Sequence, residues 1–203
     1  MPSKRVEVGS TQAFYEENAE SYFESTVDID VSGLRERFLQ YIPARGRILD
    51  AGSGSGRDTR AFRKLGYEVE AFDSSPALAE LSTRLTGVRT QVRNFEDFNE
   101  PARFDGIWAC ASLLHVSETD LPDVLERLSR ALKTEGALYV SFKEGVGETS
   151  LPDGRRFTNM SLQTLELLLQ SLTAVLIREI WSYSAQSSSK ESEAWVNGIA
   201  TRF

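Results

Sequence analysis

The chain has few of the residues that staple small proteins or hold metals. It carries one cysteine, Cys110, and one histidine, His115, in 203 residues. A single thiol excludes an intrachain disulfide, and one Cys with one His argues against a structural zinc site. No metal is expected. Both counts fit a reducing cytoplasm. Basic charge is also short: 23 Lys and Arg stand against 30 Asp and Glu, for a net charge of -7. Nucleic-acid binders draw much of their affinity from phosphate neutralisation, so a nucleic-acid partner is disfavoured. Long apolar runs are missing. No segment approaches the ~18 consecutive apolar residues of a membrane span. The start, "MPSKRVEVGSTQAFYEENAE", has no apolar run behind its basic residues, so no signal peptide is expected. There is no repeat at fixed period and no long low-complexity tract. The polar stretch "SAQSSSKESE", Ser184 to Glu193, is expected to be a mobile loop at a hairpin tip.

What remains is the composition of an ordinary globular protein, 40% hydrophobic and 26% charged. A chain of this length suits one domain, residues 1–203. Thr11 to Phe23 reads as a helix carrying Phe14, Tyr15, Tyr22 and Phe23, and Gly33 to Tyr41 as a second that stops at Pro43. "RILDA" is a short apolar run between Gly46 and Gly52, hence a buried strand. "DTRAFRKLG" returns to helix, "YEVEAFD" alternates into a strand, and Pro76 opens the helix "PALAELSTRL". "VRTQVRNF" and "FDGIWACA" are expected as strands three and four. Asp120 to Leu132 has an apolar stripe of Leu121, Val124, Leu125, Leu128 and Leu132, with Asp120 or Thr119 as cap. "GALYVSF" is a fifth strand, and Ser161 caps "LQTLELLLQSL". "AVLIREIWSY" and "EAWVNGIATRF" are two closing strands, joined too tightly for a parallel crossover. The predicted fold is α/β: a doubly wound, mostly parallel, seven-stranded Rossmann-like sheet with an antiparallel C-terminal hairpin at one edge.

In such sheets the turn after the first strand lies at the ligand crevice. Here it reads "DAGSGSGRD", with Gly52, Gly54 and Gly56. Glycine lets the backbone approach a ligand where a side chain would collide. Asp73 ends the second strand, 21 positions beyond Gly52, close to the ~20-residue offset of a carboxylate that accepts from ribose hydroxyls. The spacing is G-x-G-x-G, and Arg57 occupies the place of the third glycine in a dinucleotide fingerprint. No Gly-Lys-Ser/Thr phosphate loop is present. Asp50 adds negative charge beside the turn, which disfavours pyrophosphate and suits an adenosine bearing a cationic group.

These residues resemble the class I S-adenosylmethionine-dependent methyltransferases, small bacterial single-domain members in particular. "ILDAGSGSGRD", "VEAFDSSP", "VRNFEDF" and "FDGIWACASLLHVS" look like their first four motifs, over roughly Phe14 to Phe142. The resemblance implies S-adenosylmethionine as cofactor, leaving S-adenosylhomocysteine. It implies a cofactor-binding set of Asp50, Gly52, Ser53, Gly54, Arg57, Asp73, Ser74, Asn94, Phe95, Glu96, Ala111 and Ser112. Asn94 departs from the usual aspartate, and Glu96 competes with it for the adenine. "YEENAESY" is similar to a segment that folds over the cofactor. Tyr15 and Tyr22 are therefore candidate cover residues, and 1–43 a helical cap. His115 is the candidate base, against a role in shaping the pocket. Arg155, Arg156 and Phe157 are weaker candidates for the acceptor side. The Asn/Asp-Pro-Pro-aromatic segment of amino-directed nucleic-acid methyltransferases is replaced by "ACAS", which favours a small-molecule acceptor methylated on O, N or S. The expected protein is a cytoplasmic monomer or weak homodimer. The alternatives are a non-catalytic S-adenosylmethionine-binding protein or an NAD(P)-dependent reductase.

Overall fold

A computed structural model describes residues 10–186 and 192–203. Helices α1 (Thr11–Glu17), α2 (Ala19–Thr26) and α3 (Ser32–Leu39) precede β1 (Arg47–Ala51). Alternation follows: α4 (Arg57–Lys64), β2 (Glu68–Asp73), α5 (Pro76–Thr86), β3 (Thr90–Val92), β4 (Phe104–Ala109), α6 (Leu121–Ala131) and β5 (Leu132–Lys143). The chain ends with β6 (Gly147–Ser150), β7 (Arg156–Asn159), α7 (Leu162–Gln170), β8 (Val175–Gln186) and β9 (Ser192–Arg202).

The seven-stranded sheet runs β3-β2-β1-β4-β5-β9-β8. Strands β1 to β5 pair in parallel, while β9 pairs antiparallel with both β5 and β8. This is the expected doubly wound sheet with its C-terminal hairpin edge. Strand order reverses between β1 and β4, so the crevice opens above their carboxyl ends.

Both faces are covered, and side chains alternate between them with period 2. Ile107 and Leu138 face one core, with the α6 stripe Leu121, Val124, Leu125 and Leu128. Trp108 and Tyr139 face the other and stack at 4.0 Å. Phe38 of α3 and Phe62 of α4 pack around Trp108, at 5.2 and 5.6 Å between ring centroids. Burying each such side chain contributes about 1.5–3 kcal/mol.

Serine side chains cap the starts of α1, α5 and α7. Ser75 Oγ accepts from Leu78 N–H at the start of α5, Pro76 follows it, and Gly87 ends the helix at φ +67°. Ser161 and Thr164 form a reciprocal capping box on α7. At α6 neither Thr119 nor Asp120 caps with its side chain. Ser117 Oγ instead accepts from Asp120 N–H at 3.2 Å.

Four further features differ from expectation. The first helix breaks at Asn18, whose side-chain amide donates to Phe14 O at 2.8 Å. Such back-bonding competes with the helical ladder. β3 keeps only Thr90–Val92 of "VRTQVRNF", and Phe95–Asp97 turns as a short 3-10 helix. An extra hairpin, β6–β7, stands after β5. The polar loop is shorter: β8 runs to Gln186 and β9 starts at Ser192. Residues 187–191 of that loop lie outside the described residues.

Candidate active site

The turn after β1 is shaped by close approach. Gly52 has φ +77°, and a Cβ there would sit 2.5 Å from Ser112 Cβ, on the turn after β4. Gly54 has φ +51°, and a Cβ would meet the Tyr22 ring at 3.3 Å. These two positions form a backbone cradle that side chains would fill. Asp73 braces it from the end of β2. Its Oδ2 accepts from Gly54 N–H at 2.8 Å and its Oδ1 from Ser75 N–H at 2.9 Å. Burial raises its pKa, and these amides counter the rise. Two bonds leave a carboxylate with spare acceptor sites.

The cleft above the cradle encloses about 180 Å³. It is lined by Tyr15, Tyr22, Gly52, Gly54, Asp73, Ser74, Asn94, Phe95, Glu96, Ala111, Ser112 and His115. The sequence reading singled out each of these. It missed Thr11, Gln12, Phe72, Leu78, Arg93 and Val116, which also line the cleft. Asn94 and Glu96 both reach it. Phe95 packs edge-on against Phe72 at 5.1 Å. Ala111 holds φ +52°, unusual for a residue with a side chain, and donates its N–H to Ser141 Oγ at 2.8 Å.

Asp50, Ser53 and Arg57 lie behind the cradle and do not line the cleft. Asp50 accepts from Thr59 Oγ1 at 2.6 Å, and burial and then Asp58 raise its pKa to about 7. Arg57 is tied to Asp58 at 2.7 Å. Asp58 is a hub: Arg35 of α3 reaches it at 2.6 Å and Trp108 Nε1 donates to it at 3.0 Å. Burial opposes its charge, but Arg57 and Arg35 prevail and hold its pKa low. Cys110 lies 3.8 Å from Arg57, and burial pushes its thiol up to about 11.

Helices α1 and α2 roof the cleft. Gln12 Nε2 donates to Ser74 O at 2.8 Å, and Glu16 Oε2 accepts from Ser75 Oγ at 2.6 Å and Ala77 N–H at 3.0 Å. On the other side, Thr11 Oγ1 accepts from Arg156 N–H at 2.9 Å. Tyr15 and Tyr22 meet edge-on, 4.9 Å apart. α3 belongs to the core rather than the roof, since Phe38 is fully buried. His115 ends the turn after β4. Its Nε2 lies 2.9 Å from Tyr15 Oη and its Nδ1 2.9 Å from Arg156 O. Phe157 packs on its ring at 5.0 Å. Arg155 does not line the cleft. It pairs with Asp153 at 2.7 Å and covers Phe14 at 4.2 Å. No cluster of metal-ligating side chains occurs among the described residues.

A cleft at the switch point of a doubly wound sheet defines the class: a Rossmann-like fold with its ligand crevice above β1 and β4. The family model for a methyltransferase domain matches residues 23–181. The chain therefore belongs to the methyltransferase domain family, with the class I, S-adenosylmethionine-dependent methyltransferase fold. It is 25% identical over 126 residues to an uncharacterized methyltransferase of Staphylococcus carnosus, covering 58% of this chain and 61% of that protein. The match thus spans less than two thirds of that relative's length. It is 29% identical to a ubiquinone biosynthesis O-methyltransferase of Xanthomonas campestris, over 75% of this chain and 77% of the relative. In structure it resembles the 1,6-didemethyltoxoflavin-N1-methyltransferase of Burkholderia thailandensis, solved with 1,6-didemethyltoxoflavin and S-adenosylhomocysteine. The TM-score is 0.72 at 21% identity, covering 100% of this chain and 93% of that one.

Proposed function

We propose that this protein transfers a methyl group from S-adenosylmethionine to a small-molecule acceptor. The observation that carries the reading is the convergence of the Gly52–Gly54 cradle, the Asp73 carboxylate and the Tyr15–Tyr22 roof on one cleft. The bare cradle and spare acceptor sites on Asp73 fit an adenosine ribose. Asp73 accepts from the ribose hydroxyls. Asn94, Phe95 and Glu96 surround the adenine, and Ala111 and Ser112 border the methionyl arm together with Tyr22. Asp50, Ser53 and Arg57 act from behind, ordering the turn. When bound, the cofactor supplies an electrophilic methyl on a sulfonium. The protein's own contribution is positioning and exclusion of water, and alignment of donor and acceptor is worth several kcal/mol.

The relatives' names point to one oxygen and one nitrogen acceptor, so a small molecule is the common denominator. The acidic net charge supports a small molecule over nucleic acid. The acceptor side is bordered by His115, which the Arg156 carbonyl and the Phe157 ring hold from behind, neither of those residues lining the cleft itself. The working form is a cytoplasmic monomer or weak homodimer in one domain, capped by its N-terminal helices. No helix among the described residues is long and apolar enough to cross a membrane. Calorimetry tests the reading: S-adenosylhomocysteine should bind and NADH should not. NADH binding alone would make the protein a reductase. Cofactor binding without transfer across a broad acceptor panel would make it a nucleoside-holding protein.

A further inference from the structure

We propose that Tyr15 and His115 form a proton-accepting pair, assembled when α1 closes, that commits the site to acceptors reacting through a hydroxyl group. The proposal rests on the methyl-transfer reading above and names its acceptor class.

The hydrogen bonds fix the direction of proton flow. A backbone carbonyl only accepts, so the contact of His115 Nδ1 with Arg156 O places the ring proton on Nδ1. Nε2 of the neutral ring is then a bare lone pair, and the Tyr15 hydroxyl donates to it. Three separate elements hold this arrangement: Tyr15 comes from α1, His115 from the turn after β4, and Arg156 from β7. Thr11 of α1 also takes the Arg156 N–H, so helix and hairpin are joined on both sides of one residue. Tyr15 and His115 both line the cleft beside Ala111 and Ser112.

The surroundings keep the base free. Burial, and then Arg155 and Lys143, lower the His115 pKa to about 4, against the Arg156 carbonyl. Arg155 is paired with Asp153, and Lys143 with Glu193 at 3.0 Å. Burial raises the Tyr15 pKa, opposed by Arg155, while Asp73 and Asp153 add to the rise. At neutral pH the pair is therefore a phenol beside an uncharged imidazole.

The proton count balances for a hydroxyl. The acceptor oxygen forms a bond to the methyl carbon as the methyl–sulfur bond breaks. The acceptor's O–H proton passes to Tyr15 Oη, the Tyr15 proton passes to His115 Nε2, and His115 ends as imidazolium. Oxygen needs this help, because methylation of a neutral hydroxyl makes its proton strongly acidic at the moment of attack. An amine attacks through its free lone pair and can lose a proton later to water. An imidazolium facing Arg155 and Lys143 is unfavourable, so its proton leaves when α1 opens. The aromatic walls of the cleft, Tyr15, Tyr22 and Phe95, suit an acceptor whose hydroxyl is carried on an aromatic ring.

Because His115 is the chain's sole histidine, ¹⁵N-histidine labelling gives one imidazole to observe. With S-adenosylhomocysteine added, the expected spectrum is the Nδ1–H tautomer with a pKa below about 5. An Nε2–H tautomer, or titration near 6.5, overturns the proposal. Transfer is then measured with hydroxybenzoates and the matching aminobenzoates as probes. We expect O-methylation that falls about 100-fold in Tyr15→Phe and His115→Gln, while Tyr15→Phe keeps S-adenosylhomocysteine affinity within about threefold and retains the Nδ1–H tautomer. Methylation of nitrogen alone, O-methylation indifferent to both substitutions, or no transfer to any hydroxyl probe by a protein that binds S-adenosylhomocysteine overturns it. Failure to bind S-adenosylhomocysteine strikes the underlying function instead, so the two failures are distinguishable.

Discussion

Gly52 and Ser112 come from different crossovers of the sheet, yet they touch across its switch point. A Cβ on Gly52 would lie 2.5 Å from Ser112 Cβ, and Ser112 Oγ already donates to Ala51 O at 2.7 Å. Ser112 therefore cannot swing away without losing that bond. With φ at +77°, Gly52 is also in a region costly for side chains. Gly52→Ala should destabilise the fold by about 2–3 kcal/mol and abolish measurable S-adenosylhomocysteine binding. Urea unfolding and calorimetry on the same sample check both. A stable, fully binding variant would mean that the cradle is not the cofactor contact.

Asp73 braces the cradle, and in the proposed function it also accepts from the ribose. Asp73→Asn retains one accepting oxygen but removes the charge and one acceptor site. We expect cofactor affinity to fall by about 1–3 kcal/mol, or roughly 5- to 150-fold. Asp73→Ala should lose more, because the Gly54 and Ser75 amides are then left without their acceptor. Equal affinity for wild type and Asp73→Asn would place the ribose elsewhere.

The roof is anchored on both sides of the cleft, by Glu16 to Ser75 and by Thr11 to Arg156. A segment held by a few polar bonds opens at low free energy. Amides of residues 11–24 should exchange fast in the free protein and slow at least about tenfold with S-adenosylhomocysteine. Glu16→Ala should speed exchange in the free state. Equal protection with and without ligand would make α1 and α2 a fixed wall.

How far the sequence carried these conclusions differs by element. The strand–helix alternation was legible because β1, β4 and β5 are apolar runs between turn residues and α6 has a clean stripe. Gly52 and Asp73 were legible through their offset, which the βαβ unit imposes. The β6–β7 hairpin was not. Glu148, Thr149 and Ser150 are exposed, so the strand has no period-2 pattern to read. The placement of Arg57 was hidden for another reason. Its ion pair is shared with Arg35, 23 residues before Asp58, and only the packing of α3 on α4 brings them together. The break at Asn18 had a signal, an amide inside a helical run, but aromatic spacing across it favoured continuity.

Acid should act on His115 in a defined direction. Its pKa falls from 6.5 to about 4 on folding, chiefly by burial. Between those values the unfolded chain binds the proton more readily. The associated stability is present above pH 6.5 and is lost as pH falls toward 4, by at most about 3 kcal/mol. Asp50 acts oppositely: raised to about 7 by burial and Asp58, it favours the folded state most at low pH and loses that contribution as pH rises through 7. The difference between wild type and His115→Gln isolates the imidazole. Unfolding free energy should be steeper in pH for wild type from 6.5 to 4, and parallel curves would show an imidazole in water.

The Asp58 hub makes the strongest demand on stability. Its carboxylate serves Arg57, Arg35 and the Trp108 indole, and both guanidiniums are largely buried. Removing one partner of a buried ionic group leaves the others uncompensated, at a cost of about 3–5 kcal/mol. Asp58→Ala should lose that much. The same substitution removes the negative charge that raises Asp50, so the Asp50 carboxyl should titrate lower. Asp58→Asn keeps acceptor capacity for Trp108 and should fall between wild type and Asp58→Ala. The site above should respond only indirectly, since neither Asp58 nor its arginines line the cleft. At a temperature where Asp58→Asn is still folded, its affinity for S-adenosylhomocysteine should stay within about threefold of wild type. A large loss of affinity in a folded Asp58→Asn protein would mean that Arg57, once released from its partner, enters the cleft, and that the ion pair normally holds it out.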